Sequence, residues 1–264
     1  MKVPINTIIL SILIVFPMYA FNASNLEGFV TFATENYFSL LEILLESIHA
    51  FSTRPIIAFG INADIPFDQE KYPRLIKKRI DVNLDTVNIF SLKPRIILES
   101  DLEYGIYIEA DDIANSMIDT LFDLTHSVGT FPLCPLHPQD PDNQKNIMEL
   151  LHVTTKSIPY VHAHVLFSKS CMPFIQEWYH TCLNYINQAE NFDETLLNVL
   201  LWKYNANAYA PQYDPYFATY TDFLASGSTN NSYQHCMFHG CKDPLLARTI
   251  LQALIDHHNK LISA

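Results

Sequence analysis

The sequence predicts an α/β fold, with a Rossmann-like, mainly parallel sheet flanked by helices. Short runs rich in β-branched and aromatic residues read as strands. Longer segments between them carry apolar residues at helical spacing. The two alternate as strand, helix, strand, helix, strand, which is the pattern of a parallel α/β sheet.

Residues 28–34 (GFVTFAT) form the first predicted strand and 37–50 (YFSLLEILLESIHA) the first helix. A buried strand follows at 55–62, a helix at 89–100 and a short third strand at 105–108 (GIYI). Ligands of such sheets bind beyond the carboxyl ends of the strands. Residues 31–36 and 109–112 are therefore expected on one rim. In the second half, 162–168 (HAHVLFS) reads as a strand, and 173–189, 192–205 and 244–260 read as helices. Residues 204–220, rich in Tyr, Asn and Pro, read as a long ordered loop. The Pro-rich stretch 131–142 (FPLCPLHPQDPD) is the candidate loop over the site.

The chain has 264 residues, of which 49% are apolar and 17% charged. That supports a sizeable core and excludes a disordered chain. The formal net charge is −12, and the longest basic cluster is Lys77-Lys78-Arg79. Duplex nucleic acid is therefore not an expected partner. Met1-Lys2 and the apolar run 5–21 make residues 1–24 a signal peptide or an uncleaved membrane anchor. Residues 25–264 would then be one domain in the secretory pathway, either secreted or anchored outside the cytoplasm. The five cysteines, Cys134, Cys171, Cys182, Cys236 and Cys241, form an odd set. An oxidising compartment would permit disulfides, but sequence does not fix their connectivity.

Three segments carry the chemistry. In YGIYIEADDI an apolar strand runs into Glu109, Asp111 and Asp112. Clustered acids repel one another, and a hard cation such as Mn²⁺ or Mg²⁺ neutralises them and can hold a diphosphate. An acidic turn capping the next helix is the competing reading. In HCMFHGCKDP, His239 can complete a metal site, Gly240 permits close backbone approach, and Lys242 can neutralise phosphate. A zinc site from His235, Cys236, His239 and Cys241, or a Cys236–Cys241 disulfide, are alternatives there. In FDETLLNVLLW, Asp193 reads as a helix N-cap, though capping does not explain its pairing with Asn198.

Together these segments resemble glycosyltransferase family 8, which includes glycogenin and bacterial lipopolysaccharide galactosyltransferases. The resemblance implies the GT-A fold and runs from about Gly28 to Pro244. Glu109-Ala110-Asp111 matches the family's Asp-x-Asp motif, and Lys93 stands where its preceding lysine is expected. The run from Asp193 and Glu194 to Asn198 matches Asp-Gln-x-x-Leu-Asn, and His239-Gly240-Cys241-Lys242 loosely matches the terminal His-x-Gly motif. Phe29-Val30-Thr31 with Asn36 and Tyr37 resembles the strand and turn that receive the nucleotide base. Glu109 and Glu194 replace the family's Asp and Gln, and Asp243 stands where Pro is expected.

The resemblance implies transfer of a hexosyl unit, with retention, from a UDP-sugar to a hydroxyl on a glycan, lipid or protein. The implied ligands of Mn²⁺ (or Mg²⁺) are Asp111, His239 and either Glu109 or Asp112. Thr31, Asn36, Tyr37, Lys93 and Lys242 would bind the nucleotide, and Asp193 and Glu194 would orient sugar. Tyr209, Tyr213, Tyr216 and Tyr220 could stack on an acceptor. The two glutamate replacements also motivate a non-catalytic binding module that keeps the fold. A nucleotidyltransferase would need a Gly-rich, basic loop after the first strand, and TFATENY at 31–37 has neither feature.

Overall fold

The computed structural model describes residues 26–137, 140, 144–189, 192–211, 217–225 and 234–263. The predicted leader, Tyr213 and Tyr216 lie outside the described residues. Among the described residues, no helix is long and apolar enough to cross a membrane.

The first half is built as the alternation predicts. Strand β1 (Glu27–Ala33) leads to helix α1 (Phe38–Phe51), and β2 (Ile56–Ile61) is followed by β3 (Leu75–Ile80). Helix α2 (Leu92–Leu98) precedes β4 (Tyr104–Tyr107). Next come β5 (Ile113–Ala114), α3 (Leu121–Thr125), α4 (Lys145–Leu150) and β6 (Leu166–Ser168). Helices α5 (Met172–Tyr185) and α6 (Phe192–Lys203) follow, then β7 (Phe217–Thr219) and α7 (Tyr220–Ala225). The chain closes with β8 (Met237–His239) and α8 (Pro244–Ser263).

The main sheet has the order β3-β2-β1-β4-β6, parallel throughout except for β6. Strand β2 is buried along its whole length, as a central strand of a helix-covered sheet must be. Strand β3, LIKKRI, was not expected from sequence. It is an edge strand, and the cluster Lys77-Lys78-Arg79 lies along it, where charge blocks pairing with another chain. The strand predicted at 162–168 is shorter, because the residues before Leu166 pair instead with the 133–136 segment, where Leu136 bridges Val161 and His162 N donates to Pro135 O. Asp193 lies inside the first turn of α6 and is not the N-cap. The loop expected at 204–220 contains β7 at its end.

A small second sheet, β5-β8-β7, packs beside α1 and under α8. Its antiparallel register pairs Ile113 with Phe238, so Asp112 and His239 face each other one step on. The strand order runs one way from β1 to β3 and the other way from β1 to β4. That reversal opens a crevice beyond the carboxyl ends of β1 and β4.

Gly105 faces Phe167 across the β4–β6 ladder, and a Cβ there would lie 2.1 Å from the ring. Gly105→Ala is expected to cost about 1–3 kcal/mol by overpacking, read as a lower denaturation midpoint. Adding Phe167→Leu should restore part of that loss, because the two changes share one space. Additive losses would show that the ring does not set the constraint.

Candidate active site

The crevice between β1 and β4 is a cleft bordered by Phe32, Thr34, Tyr37, Phe90, Lys93, Tyr107, Glu109, Asp111 and Lys242. Tyr37, Lys93 and Lys242, three of the expected nucleotide-binding residues, therefore share it. Thr31 and Asn36 do not border it. Thr31 is wholly buried in β1 with its hydroxyl unpaired, and its neighbours Phe32 to Thr34 meet the cleft instead.

Beyond β4 the chain turns tightly. Asp112 N donates to Glu109 O at 3.1 Å, and Glu109 N donates to Asp112 Oδ2 at 2.7 Å. Asp112 is almost fully buried and also meets two imidazoles. His164 Nε2 lies 3.0 Å from its Oδ2, and His239 Nδ1 lies 2.8 Å from its Oδ1. It thus orients both rings, as an outer carboxylate does behind a metal-binding histidine. Gly240, with φ of 83°, supplies the left-handed turn after β8, and Cys241 N then donates to Asp111 O at 3.2 Å. This ties the Asp111 backbone to the His239 segment.

Among the described residues, possible ligand atoms converge in three groups: Asp111, Asp112 and His239; Glu109, His164 and His239; and His137, His162 and Glu194. None contains a cysteine. All five cysteines are buried free thiols. Neither the Cys236–Cys241 disulfide nor the cysteine-containing zinc site is formed. Cys236 instead donates to Met117 O at 2.9 Å.

The charges fit a cation beside Asp111. Burial, then the carboxylates of Asp112 and Glu109, push the Asp111 carboxyl up to about 6. Burial opposes the His239 imidazolium, but Asp112, Glu109 and Asp111 outweigh it and raise the group to about 9. An acid pushed up by neighbouring acids is a site where positive charge is missing. Oxygen donors with one imidazole suit Mn²⁺ and also Mg²⁺.

Behind this group lies a second arrangement. Lys93 Nζ is 2.9 Å from Glu109 Oε1 and 2.9 Å from Asp193 Oδ2, and both Lys93 and Asp193 are buried. The contact with Glu109 is an aligned hydrogen bond, whereas Asp193 Oδ2 lacks one. One ammonium thus serves two acids unequally. Glu109 is held well below the usual carboxylate range, while burial pushes Asp193 up to about 6 despite the same lysine. Asp193, only 3% exposed, faces Lys93 and does not reach the cleft. Glu194 turns to His162 and His137, at 3.2 and 3.6 Å.

Sequence reasoning missed His137, His162 and His164. The last two stand two residues apart in the extended run HAHVLFS, a spacing that puts both on one side. That was the available signal.

No protein-family model matches this chain, and no curated protein matches it in sequence. Solved structures do resemble it. The galactosyltransferase LgtC, in complex with donor and acceptor sugar analogues, is 15% identical, with a TM-score of 0.57, over 87% of this chain and 95% of that one. An active-site glutamine-to-glutamate variant of LgtC is 13% identical, with a TM-score of 0.54, over 82% and 88%. The bifunctional glycosyltransferase WbbM, without ligand, is 10% identical, with a TM-score of 0.54, over 83% of this chain and 46% of its own. The mainly parallel sheet with its flanking helices is the GT-A glycosyltransferase fold.

Proposed function

We propose that this chain is a metal-dependent glycosyltransferase that moves a hexosyl unit, with retention, from a UDP-sugar to a hydroxyl on a glycan, lipid or protein. The observation that carries this reading is the convergence of Asp111, Asp112 and His239 at the strand-order reversal of a GT-A fold. LgtC, which shares that fold, was solved with donor and acceptor sugar analogues. A divalent cation at Asp111 and His239 would supply Lewis-acid neutralisation of the departing diphosphate. Lys242, exposed on the cleft, adds positive charge to the same leaving group. Tyr37 and Phe90 offer exposed rings on which a base can stack. Asp112 holds His239 in orientation, and Lys93 holds Glu109. Asp193 is a positioning residue that acts through Lys93. The leader would place the domain in the secretory pathway, and fractionation of the full chain with membranes or medium tests that assignment.

The pairing of Glu109 with Lys93 favours a second reading, a binding module that has lost turnover. Calorimetric titration of UDP with and without Mn²⁺, beside a UDP-release assay, separates the two. Wild type should bind UDP only with Mn²⁺, and chelation should abolish both binding and release. Asp111→Asn should lower metal-dependent binding and release together, by an order of magnitude or more. Asp193→Asn keeps the size and most of the polarity of the side chain. It should leave UDP affinity nearly unchanged while release falls by roughly tenfold. Metal-dependent UDP binding without release for any donor sugar would establish the binding module. No UDP binding would end both readings.

A further inference from the structure

We infer that His137, His162 and Glu194 form a second metal site, distinct from the Asp111 group, for a borderline divalent ion such as Zn²⁺ or Fe²⁺. Two imidazoles and one carboxylate suit such ions better than Mg²⁺, and leave coordination positions open to water or a hydroxyl. The inference does not depend on glycosyl transfer.

The three ligands come from separate segments, and backbone contacts fix each one. Leu136 bridges Val161 in antiparallel sense. His137 N donates to Tyr160 O at 3.1 Å, and His162 N donates to Pro135 O at 2.9 Å. In such a pair His137 and His162 leave the same face, and their ring centroids lie 4.1 Å apart. The third ligand is locked from the other side. Asn198, one turn after Glu194 on α6, accepts from Val161 N at 2.8 Å and donates to Val161 O at 2.8 Å. Glu194 Oε2 accepts from Ala163 N at 3.1 Å. This is the outer support that a preorganised metal site requires.

The distances fit a shared ion. Ligands about 2.1 Å from a tetrahedral centre lie about 3.4 Å from one another. Glu194 Oε2 is 3.2 Å from His162 Nδ1, and Glu194 Oε1 is 3.6 Å from His137 Nε2. The longer separation is too great for a hydrogen bond, yet suits an edge between two ligands. One ligand atom from each of the three residues lies within 4.8 Å of the other two. The His162 ring is 5.7 Å from those of His164 and His239, so the two centres would be neighbours.

The test is metal content and Co²⁺ spectroscopy of the full chain after chelation. Wild type equilibrated with Zn²⁺ should hold two ions. His137→Ala and His162→Ala should each hold one, and the affinity of the missing ion should fall at least tenfold, the least expected from losses even of outer partners. Asp111→Asn should keep the His137 ion. Visible Co²⁺ bands should then persist in Asp111→Asn and vanish when His137→Ala is added. Circular dichroism of the chelated proteins controls for folding. Should the histidine variants fail to fold, X-ray absorption on zinc-loaded His239→Gln, which removes a ligand from both other groups, should report two imidazole nitrogens. A zinc content unchanged by His137→Ala, Co²⁺ bands unchanged by His137→Ala, or a zinc shell without imidazole would overturn the inference. The Asp111 group could fail to bind UDP or metal without affecting this result.

Discussion

Lys93→Met is expected to lower stability by about 3–5 kcal/mol, the cost of removing one partner from a buried ion pair. For a chain of this size that is a fall in Tm of about 6–20 °C. The physical reason is the imbalance already present around Lys93. Its ammonium is buried, and burial disfavours its charge, yet Asp193 and Glu109 together raise it well above its ordinary range. The ring of Tyr107 adds a cation–π contact at 5.0 Å. Methionine matches the stem but leaves two carboxyls facing an apolar end. Thermal unfolding followed by circular dichroism measures the loss. Adding Glu109→Gln and Asp193→Asn should recover most of it, since neutral groups of similar volume can replace a buried ionic cluster at little cost. A single Lys93→Met variant within 1 kcal/mol of wild type would mean that water already reaches the lysine.

The same cluster shows what the sequence could and could not disclose. Strands β1, β2 and β4 were legible because their runs are apolar and β-branched. Strand β3 was not, because LIKKRI lies at the edge and carries charge on its exposed positions. Strands β5 and β8 have two and three residues, too few for any period to register. Yet β8 carries His239 to Asp112. The acids after β4 could be read as one group because they are contiguous. The histidines could not, because His137, His164 and His239 come from three segments that only the folded chain brings together. Asp193 was read as a cap from its place before an apolar helix. Nothing local reveals that its carboxylate faces Lys93 from a distant helix.

Asn198→Ala is expected to cost about 2–4 kcal/mol, the second-largest effect, and to act on the site as well as on stability. The Asn198 side chain makes three hydrogen bonds: two buried ones with Val161 N and Val161 O, and a part-buried one with Glu194 O. Truncation leaves the Val161 N–H and C=O without these partners in a dry interior, at about 1–3 kcal/mol for each unsatisfied group before relaxation. Relaxation must come from the 160–163 segment, because α6 is anchored by Leu196, Leu197, Leu200 and Leu201 in the core. That segment carries His162 and the Ala163 N–H that holds Glu194. Hydrogen exchange at the Val161 and Ala163 amides should therefore accelerate more than exchange in β1 and β2, beyond the change set by global stability. Asn198→Asp separates the two roles. It keeps an acceptor for Val161 N but sets a carboxylate against two carbonyl oxygens, so it should destabilise at least as much as alanine. Uniform acceleration across all amides in Asn198→Ala would show that Asn198 supports the fold in general and does not position His162.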